Sequence, residues 1–223
     1  MKRAARTLDY VLAVDIGGTN VRAGLVDRRG RISDMIHRPS HAAQGRKALL
    51  KVLHEVVARQ CRRGRVLAIG AGTPGTIDHA AGRVTYMQAH IPGWTGTPLA
   101  RHLADAGGVP AVIDNDVNVV ALGEHWKGQG RGARCLLSLA LGTGFGGGIV
   151  VNGQVMRGAG GRAAEFGHMI MVAGGEACTC GNFGCVEQYT APGAIARRAT
   201  REVRLGVPSV LSSYPVITAA EVF

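Results

Sequence analysis

The stretch Tyr10-Val-Leu-Ala-Val-Asp15-Ile-Gly-Gly-Thr-Asn20 decides the fold, because an apolar run ends there in a carboxylate and a glycine pair. The apolar run predicts a buried strand, and the glycines predict a tight turn. Residues 21–26 are apolar again and predict the return strand. Residues 136–151 repeat the same layout around the glycine-rich segment 142–148, which indicates an internal duplication.

Both glycine turns are candidate phosphate-binding loops. Glycines let backbone N–H groups approach phosphate oxygens, and a threonine hydroxyl adds a donor. Asp15 could hold Mg²⁺ through water, because Mg²⁺ prefers oxygen ligands and keeps several waters. The first turn is neither a Walker A loop nor a dinucleotide-binding fingerprint, so an ordinary hairpin turn is the alternative. The candidate phosphate and Mg²⁺ residues are Asp15, Gly17, Gly18, Thr19, Asn20, Gly142, Thr143 and Gly144.

The remaining pattern predicts an α/β protein. Strands are predicted over residues 31–38, 66–71, 111–113, 134–141 and 149–155, and helices over residues 42–62, 97–106 and 117–126. A further helix is predicted to begin at Pro192, and Pro98 is predicted at the first position of its helix. Residues 217–223 resemble the opening of a helix capped by Thr218, so we expect the chain to be a fragment.

Composition predicts a globular protein in a reducing compartment. Hydrophobic residues make up 46% of the chain and charged residues 18%. No window of about 18 uncharged apolar residues exists, so no membrane-spanning helix is predicted. Five cysteines without a convincing export signal favour a cytoplasmic protein. The net charge of +11 raises the question of nucleic-acid binding, but the arginines are scattered and lack interleaved aromatic residues. A solvated basic surface that attracts an anionic substrate is therefore favoured.

The triplet Asp114-Asn115-Asp116 is a candidate catalytic element. It follows a predicted strand and precedes a predicted helix, and ligands bind at this edge of α/β sheets. A carboxylate there could accept the proton of a substrate hydroxyl during phosphoryl transfer. Helix capping is the alternative, because Asp and Asn often cap helices. We expect one of the three residues to act as the base and another to cap or position.

A cysteine cluster beside a histidine predicts a zinc site. Its members are His168, Cys178, Cys180 and Cys185, the ligand set of a Cys₃His centre, with disulfides as the alternative. Four protein ligands leave no open position, so the zinc is expected to be structural. Together with His168, Glu165 and Glu187 could contact several hydroxyls of a polyhydroxylated ligand. For the two glutamates alone, surface carboxylates would be the alternative.

Taken together, these motifs resemble the ROK family, a group of bacterial sugar kinases and sugar-responsive repressors. The resemblance extends from about Tyr10 to Ala199 and is stronger to glucokinases and N-acetylmannosamine kinases than to other branches. The matching pieces occur in family order: Asp15-Ile-Gly-Gly-Thr-Asn, Gly72-Thr-Pro-Gly75-x-Ile77-Asp78, Asp114-Asn-Asp116-x-Asn118, Leu141-Gly-Thr-Gly-Phe-Gly-Gly-Gly148, Gly158-Ala-Gly160, Glu165-Phe-Gly-His168 and Cys178-x-Cys180-Gly-x-x-Gly-Cys185-x-Glu187.

The resemblance implies an actin/hexokinase-like (ribonuclease H-like) two-lobed ATPase fold. The lobes would be residues 1–114 and residues 115–223, the second incomplete because the family's last segment does not follow. The implied activity is ATP-dependent phosphorylation of the 6-hydroxyl of an aldohexose, with glucose favoured. The alternatives are an N-acetylmannosamine kinase or another ROK sugar kinase, or a non-catalytic sugar-binding protein or regulator. Roughly nine residues precede the first strand, too few for the winged helix of the repressors.

The resemblance also implies roles for individual residues. Asp116 would be the general base. The sugar would contact Gly72, Thr73, Pro74, Gly75, Asn115, Asp116, Glu165, His168 and Glu187. ATP and Mg²⁺ would lie near Asp15, Gly17, Gly18, Thr19, Thr143 and Gly144, and zinc would bind His168, Cys178, Cys180 and Cys185. One departure concerns the sugar pocket, because His90 stands before Ile91-Pro-Gly-Trp94 where many relatives have Asn. The partners expected are a hexose, ATP and further copies of the chain in a homodimer or homotetramer, but no nucleic acid or membrane.

Overall fold

The computed structural model describes residues 9–87 and 91–223, so the prediction about His90 lies outside the described residues. The elements are β1 (Asp9–Ile16), β2 (Asn20–Asp27), β3 (Ile32–Pro39), α1 (Arg46–Cys61), β4 (Arg65–Thr73), β5 (Thr76–Asp78), β6 (Arg83–Tyr86), α2 (Leu99–Gly107), β7 (Ala111–Asn115), α3 (Asp116–Lys127), β8 (Cys135–Leu141), β9 (Phe145–Val151), β10 (Gln154–Val155), α4 (Glu187–Thr190), α5 (Pro192–Arg204) and α6 (Ala219–Val222). Short 3₁₀ turns lie at Ala42–Gln44, Ala159–Gly161, Phe166–His168 and Val210–Ser213. Among these residues, no helix combines the length and the apolar character needed to cross a bilayer.

The first sheet has five strands in the order β3-β2-β1-β4-β7. β1, β2 and β3 are antiparallel neighbours, whereas β4 runs parallel to both β1 and β7. The alternation along β1 buries Leu12, Val14 and Ile16, and the helix α1 adds Leu49 and Leu53 to the same core. Since successive strand side chains point to opposite faces, the core lies on the face of the sheet that α1 covers.

The register of the parallel strands brings the candidate residues to one edge. Asp15 of β1 pairs with Gly72 of β4, and Gly72 pairs with Asp114 of β7. The carboxyl ends of all three strands therefore lie side by side. The first glycine turn, the Pro74-Gly75 turn and the start of α3 follow directly from these ends.

The second sheet has three antiparallel strands in the order β10-β9-β8. The prediction that one strand spans residues 149–155 is wrong in its start and in its continuity. β9 already begins at Phe145 and includes Gly146–Gly148, and a turn separates it from β10. A Cβ at Gly146 would lie 2.8 Å from Val117 Cγ2, and one at Gly148 would lie 2.7 Å from the Ala121 Cβ. The glycines thus let α3 lie directly against β9, and this packing outweighs their weak strand preference.

The helix boundaries differ from the predictions in two places. α1 begins at Arg46 rather than near residue 42, because Gly45 has φ +92° and interrupts the helical backbone. Pro98 is the residue before α2 rather than its first residue. The other two predicted starts are confirmed: Pro192 is the first residue of α5, and Thr218 caps α6 in a capping box with Glu221.

Candidate functional site

A cavity of about 590 Å³ lies between the two sheets, within the usual size range of a small-molecule site. It brings together most of the predicted site residues. Those that line it are Gly17, Gly18, Thr19, Pro74, Gly75, Asn115, Asp116, Gly142, Thr143, Gly144, Glu165, His168 and Glu187. The cavity is also lined by residues that sequence reasoning did not single out, among them Met87, Val117 and Gly161.

The first glycine loop (residues 17–19) joins β1 to β2 and is held by its own sheet. The Gly17 N–H donates to the Asn20 carbonyl at 2.8 Å, which closes the turn. Ser40, just beyond β3, donates from its hydroxyl to the Gly18 carbonyl at 2.7 Å and from its N–H to the Thr19 carbonyl at 2.9 Å. These bonds fix the carbonyls of the loop, so its remaining N–H groups can face the cavity.

Of the residues predicted to contact the sugar, the phosphates or Mg²⁺, four do not line the cavity. Asp15 is the penultimate residue of β1 and has its carboxylate 3.7 Å from the Arg22 guanidinium, and Asn20 closes the loop through its backbone. Gly72 lies in β4 close to the start of α3, where a Cβ would be 3.4 Å from the Asp116 Cα, an ordinary contact distance. Thr73 is buried and accepts a hydrogen bond from the Trp94 indole N–H at 3.1 Å. Gly72 and Thr73 thus lie at the end of β4, directly before the Pro74-Gly75 turn that lines the cavity.

Asn115 caps α3, which confirms the capping alternative for one residue of the triplet. Its side-chain oxygen accepts from the N–H groups of Val117 at 2.9 Å and Asn118 at 3.2 Å. Its side-chain nitrogen donates to the Gly75 carbonyl at 3.2 Å. The cap therefore ties the start of α3 to the Pro74-Gly75 turn across the cavity.

Asp114 is paired with a cation that sequence reasoning missed. Both the Nη2 and the Nε of Arg157 contact its Oδ2, at 2.7 and 2.9 Å, and Asn118 donates to Oδ1 at 3.1 Å. Arg157 is 43 residues away, and no local motif marks it. Protein donors therefore engage both oxygens of the Asp114 carboxylate, and Asp114 does not line the cavity.

Asp116 is the carboxylate of the triplet that faces the cavity. It is the first residue of α3, and its Oδ1 accepts from the Val117 N–H at 3.0 Å. Burial raises the pKa of Asp116 above its ordinary value, and the negative charge of Asp15 raises it further. A carboxylate with a raised pKa at the wall of a cavity is typical of a proton acceptor.

Glu165 precedes the short 3₁₀ turn Phe166–His168, and His168 is the last residue of that turn. Residues three apart eclipse each other in a 3₁₀ turn, so both side chains still reach the same cavity. Burial raises the pKa of Glu165; the neighbouring His168 opposes this shift, and the carboxylates of Asp116 and Glu187 add to it. Three carboxylates therefore share this part of the cavity.

Glu187 contacts the second glycine loop (residues 142–144). Its Oε2 accepts the Phe145 N–H at 2.8 Å, and a Cβ at Gly144 would overlap that same oxygen. The loop also closes on itself through the Gly142 N–H, which donates to the Gly144 carbonyl at 2.9 Å. The sequence could not predict that the Phe145 N–H donates to Glu187, because the two residues are 42 positions apart.

The cysteine cluster (His168, Cys178, Cys180 and Cys185) fits a tetrahedral metal ion. Its four ligand atoms lie within 4.8 Å of one another. The His168 Nδ1 and Cys178 Sγ are 3.6 Å apart, as are the Sγ atoms of Cys180 and Cys185. Bonds of about 2.0–2.3 Å to a shared zinc would place its ligands roughly 3.3–3.8 Å apart. All three cysteines are free thiols, so the disulfide alternative is not what the structure contains.

The thiols of the cluster differ in their acidity. Burial opposes ionisation of Cys178, but hydrogen bonds from Cys180, Cys185 and His168 lower its pKa to about 7. Burial raises the pKa of Cys185 to about 12, and the neighbouring thiols add to that shift. Cys185 therefore resists ionisation by itself, whereas a bound metal deprotonates the thiols that coordinate it. The donor set therefore suits a metal better than it suits a bare thiol cluster.

Comparison with known proteins agrees with this architecture. Residues 11–221 match the ROK family. The chain is 35% identical over 224 residues to the glucokinase of Halalkalibacterium halodurans, covering 96% of this chain and 67% of that protein. It is 35% identical to the glucokinase of Thermotoga maritima, covering 86% of this chain and 60% of that protein.

The solved structure of a ROK family glucokinase from Streptomyces griseus, in complex with glucose and AMPPNP, superposes with a TM-score of 0.76 at 35% identity. The match covers 88% of this chain and 62% of that one. The chain thus spans 60 to 67% of the length of these three proteins. The expected actin/hexokinase-like α/β fold is confirmed, and the chain belongs to the ROK family.

Proposed function

We propose that the chain provides the catalytic cleft of a hexokinase that transfers the γ-phosphoryl group of ATP to the 6-hydroxyl of an aldohexose, with glucose as the favoured acceptor. One observation carries this proposal: the same cavity is lined by the two glycine loops, by Asp116 and by the trio Glu165, His168 and Glu187. A phosphoryl transferase needs these three kinds of group within reach of one another. The similarity to glucokinases supports glucose as the acceptor.

Asp116 is proposed as the general base. Its carboxylate would accept the proton of the hexose hydroxyl as that oxygen attacks the γ-phosphorus. The Val117 N–H at the start of α3 keeps one carboxylate oxygen in place at 3.0 Å. Asn115, through its cap and its bond to Gly75, would hold the Pro74-Gly75 turn against the sugar.

The two glycine loops are proposed to bind the phosphates of ATP. Backbone N–H groups stabilise the negative charge that spreads over the phosphoryl oxygens in the transition state. Asp15 would hold Mg²⁺ through water, because its carboxylate is exposed and its negative charge reaches Asp116. Mg²⁺ would supply further charge neutralisation.

Glu165, His168 and Glu187 are proposed to bind the hexose hydroxyls. Each carboxylate can accept from two hydroxyls, and the imidazole can donate or accept. His168 would serve two purposes, because its Nδ1 lies in the cysteine cluster while the residue also lines the cavity. A zinc ion held by His168, Cys178, Cys180 and Cys185 would supply a structural cross-link and no open coordination position.

The test is a coupled phosphorylation assay with this chain and with its longest natural reading frame. Glucose, mannose, N-acetylmannosamine, N-acetylglucosamine and fructose are offered in turn, with ATP or polyphosphate as the donor. The proposal expects glucose to give the highest kcat/KM with ATP. Absence of phosphorylation of any hexose by the longest frame would contradict it, and preference for N-acetylmannosamine would select the second candidate kinase.

A non-catalytic sugar-binding role is the other candidate. The similarity to the xylose repressor of Caldicellulosiruptor bescii, at 28% identity over 88% of this chain and 50% of that protein, favours it. Calorimetric titration with glucose distinguishes the two: sugar binding without ATP turnover in either frame would select this role. The homodimer or homotetramer expected from the sequence stays a prediction, to be checked by light scattering.

A further inference from the structure

We propose that Glu187 is a positioning residue for the second glycine loop, and that through it the cysteine cluster acts on the phosphate side of the cleft. This inference rests on the proposed function, because it gives the second glycine loop the role of a phosphate site. It goes beyond a sugar-binding role for Glu187, since it assigns the same carboxylate to the backbone of the opposite wall.

The contact between Glu187 and the loop is direct. The Phe145 N–H, which follows the loop immediately, donates to Glu187 Oε2 at 2.8 Å. A hydrogen bond from an N–H to a carboxylate is stronger than one to a neutral acceptor. A Cβ at Gly144 would overlap this oxygen, so the carboxylate lies in direct contact with the loop backbone. In the described part of the chain, Glu187 is the side chain that hydrogen-bonds residues 142–145.

The position of Glu187 is in turn set by the cysteine cluster. Glu187 follows Cys185 by two residues, and the Cys185 side chain is fully buried. The Cys185 Sγ lies 3.6 Å from the His168 carbonyl, and the Val186 N–H donates to the Met169 carbonyl at 2.9 Å. Residues 185–187 are therefore fixed against the segment that supplies His168. A change at the cluster would move Glu187 and, with it, the Phe145 N–H.

A second link runs from the cluster to the same helix. Gln188 Nε2 lies 3.6 Å from the Cys178 Sγ, and the Arg197 guanidinium donates to Gln188 Oε1 at 3.0 Å. α4 thus begins between two thiols of the cluster. By contrast, the first glycine loop depends on Ser40, which has no contact with the cluster among the described bonds. The second loop should respond to the state of the cluster, and the first should not.

The test uses Glu187→Ala, which removes the acceptor, and Glu187→Gln, which keeps an oxygen at the same place. Calorimetry measures the Kd for AMPPNP and for glucose, with zinc bound and after chelation. We expect Glu187→Ala to weaken AMPPNP binding roughly 10-fold and Glu187→Gln to recover most of that loss. Chelation should weaken AMPPNP binding by the wild-type chain and have little further effect in Glu187→Ala, since the two changes break one coupled connection.

Two results would overturn the inference. In one, Glu187→Ala weakens glucose binding while the Kd for AMPPNP stays unchanged. In the other, chelation and Glu187→Ala act additively on AMPPNP binding. Thermal unfolding of each variant checks that it folds, and the near-isosteric Gln variant keeps the comparison decisive if the Ala variant is unstable.

Amide hydrogen exchange separates this inference from the proposed function. The Phe145 amide should lose protection in Glu187→Ala and after chelation, whereas the Gly17 amide, bonded to the Asn20 carbonyl, should keep its protection. If the wild-type chain binds no nucleotide, the proposed function fails. The exchange of the Phe145 amide still tests whether the cysteine cluster and Glu187 hold the second glycine loop. An unchanged Phe145 amide in both conditions would overturn it.

Discussion

The hairpins β1–β2 and β8–β9 share a layout of strand, glycine loop and strand, yet different parts of the molecule hold them in place. The inward residues Leu12, Val14 and Ile16 of β1 are at most 3% exposed, whereas the inward residues Leu136, Ser138 and Ala140 of β8 are only half-buried. Ser40 of the same sheet fixes the first loop, but Glu187 fixes the second from 42 residues away. A repeated sequence layout therefore determines where the loops lie without determining what stabilises them.

The largest expected effect comes from replacing Asp116, which lines the cavity together with the glycine loops of both hairpins. Asp116→Asn keeps an oxygen that can accept the Val117 N–H, so the start of α3 should remain intact. It removes the proton acceptor, and we expect kcat to fall by roughly 10²–10⁴-fold with little change in the KM for hexose. Steady-state assays measure both constants, with whichever reading frame phosphorylates a hexose. Asp105→Asn, on the exposed side of α2, is the matched control and should keep full activity. Near-normal turnover of Asp116→Asn would disprove the assigned base.

The second largest expected effect is a loss of stability when the metal is removed from the cysteine cluster, which lies beside the hairpin β8–β9. A metal present at a thousandfold excess over its Kd contributes about 4 kcal/mol to the free energy of unfolding. For a chain of this size, that corresponds to a melting temperature roughly 10 °C lower after chelation. Elemental analysis should find zinc in the wild type and in Cys135→Ser, whose thiol lies outside the cluster, and much less in Cys180→Ser. A melting temperature and a KM for hexose that are both unchanged by chelation would contradict the structural role of the metal.

A pair of alanine substitutions sharpens the contrast between the two hairpins. A Cβ at Gly147 of β9 would overlap the Phe166 ring and lie 2.9 Å from the Ala164 carbonyl, whereas a Cβ at Gly18 has nothing within 4 Å. We expect Gly147→Ala to lower the free energy of unfolding by about 1–3 kcal/mol and Gly18→Ala to change it by less than about 0.5 kcal/mol. Urea unfolding compares them. Equal destabilisation by the two substitutions would mean that the glycines of β9 are not required by packing.

Much of the fold could be predicted because its signals are local. The apolar run of β1, the caps of α3 and α6 and the proline that starts α5 are all properties of neighbouring residues. The glycine run 146–148 could not be assigned to a strand from the sequence, because its conformation depends on α3 lying against it. Glycine's intrinsic preference disfavours a strand, and tertiary packing reverses that preference.

The site residues show the same division between features with local sequence signals and features that depend on long-range contacts. Residue types and spacing marked Asp116, both glycine loops and the cysteine cluster, and the cavity brings the first two together. The contacts that hold them in place join residues about 40 positions apart, such as Arg157 with Asp114 and Glu187 with Phe145. No local pattern encodes such a pair, so only the folded chain reveals it.

The smallest expected effect is a shift in pH dependence that couples β1 to α3. Burial and the charge of Asp15 both raise the pKa of Asp116. Since the base acts as a carboxylate, kcat/KM should increase as the pH rises through this raised pKa. Asp15→Asn removes one negative charge, so the pKa of Asp116 should fall and the acid limb should move to lower pH, whatever the loss in absolute rate. Asp34→Asn, which removes an exposed charge on β3, is the control and should leave the limb in place. A limb that stays fixed or moves to higher pH in Asp15→Asn would show that burial alone sets the proton affinity of the base, and that the first hairpin does not contribute to it electrostatically.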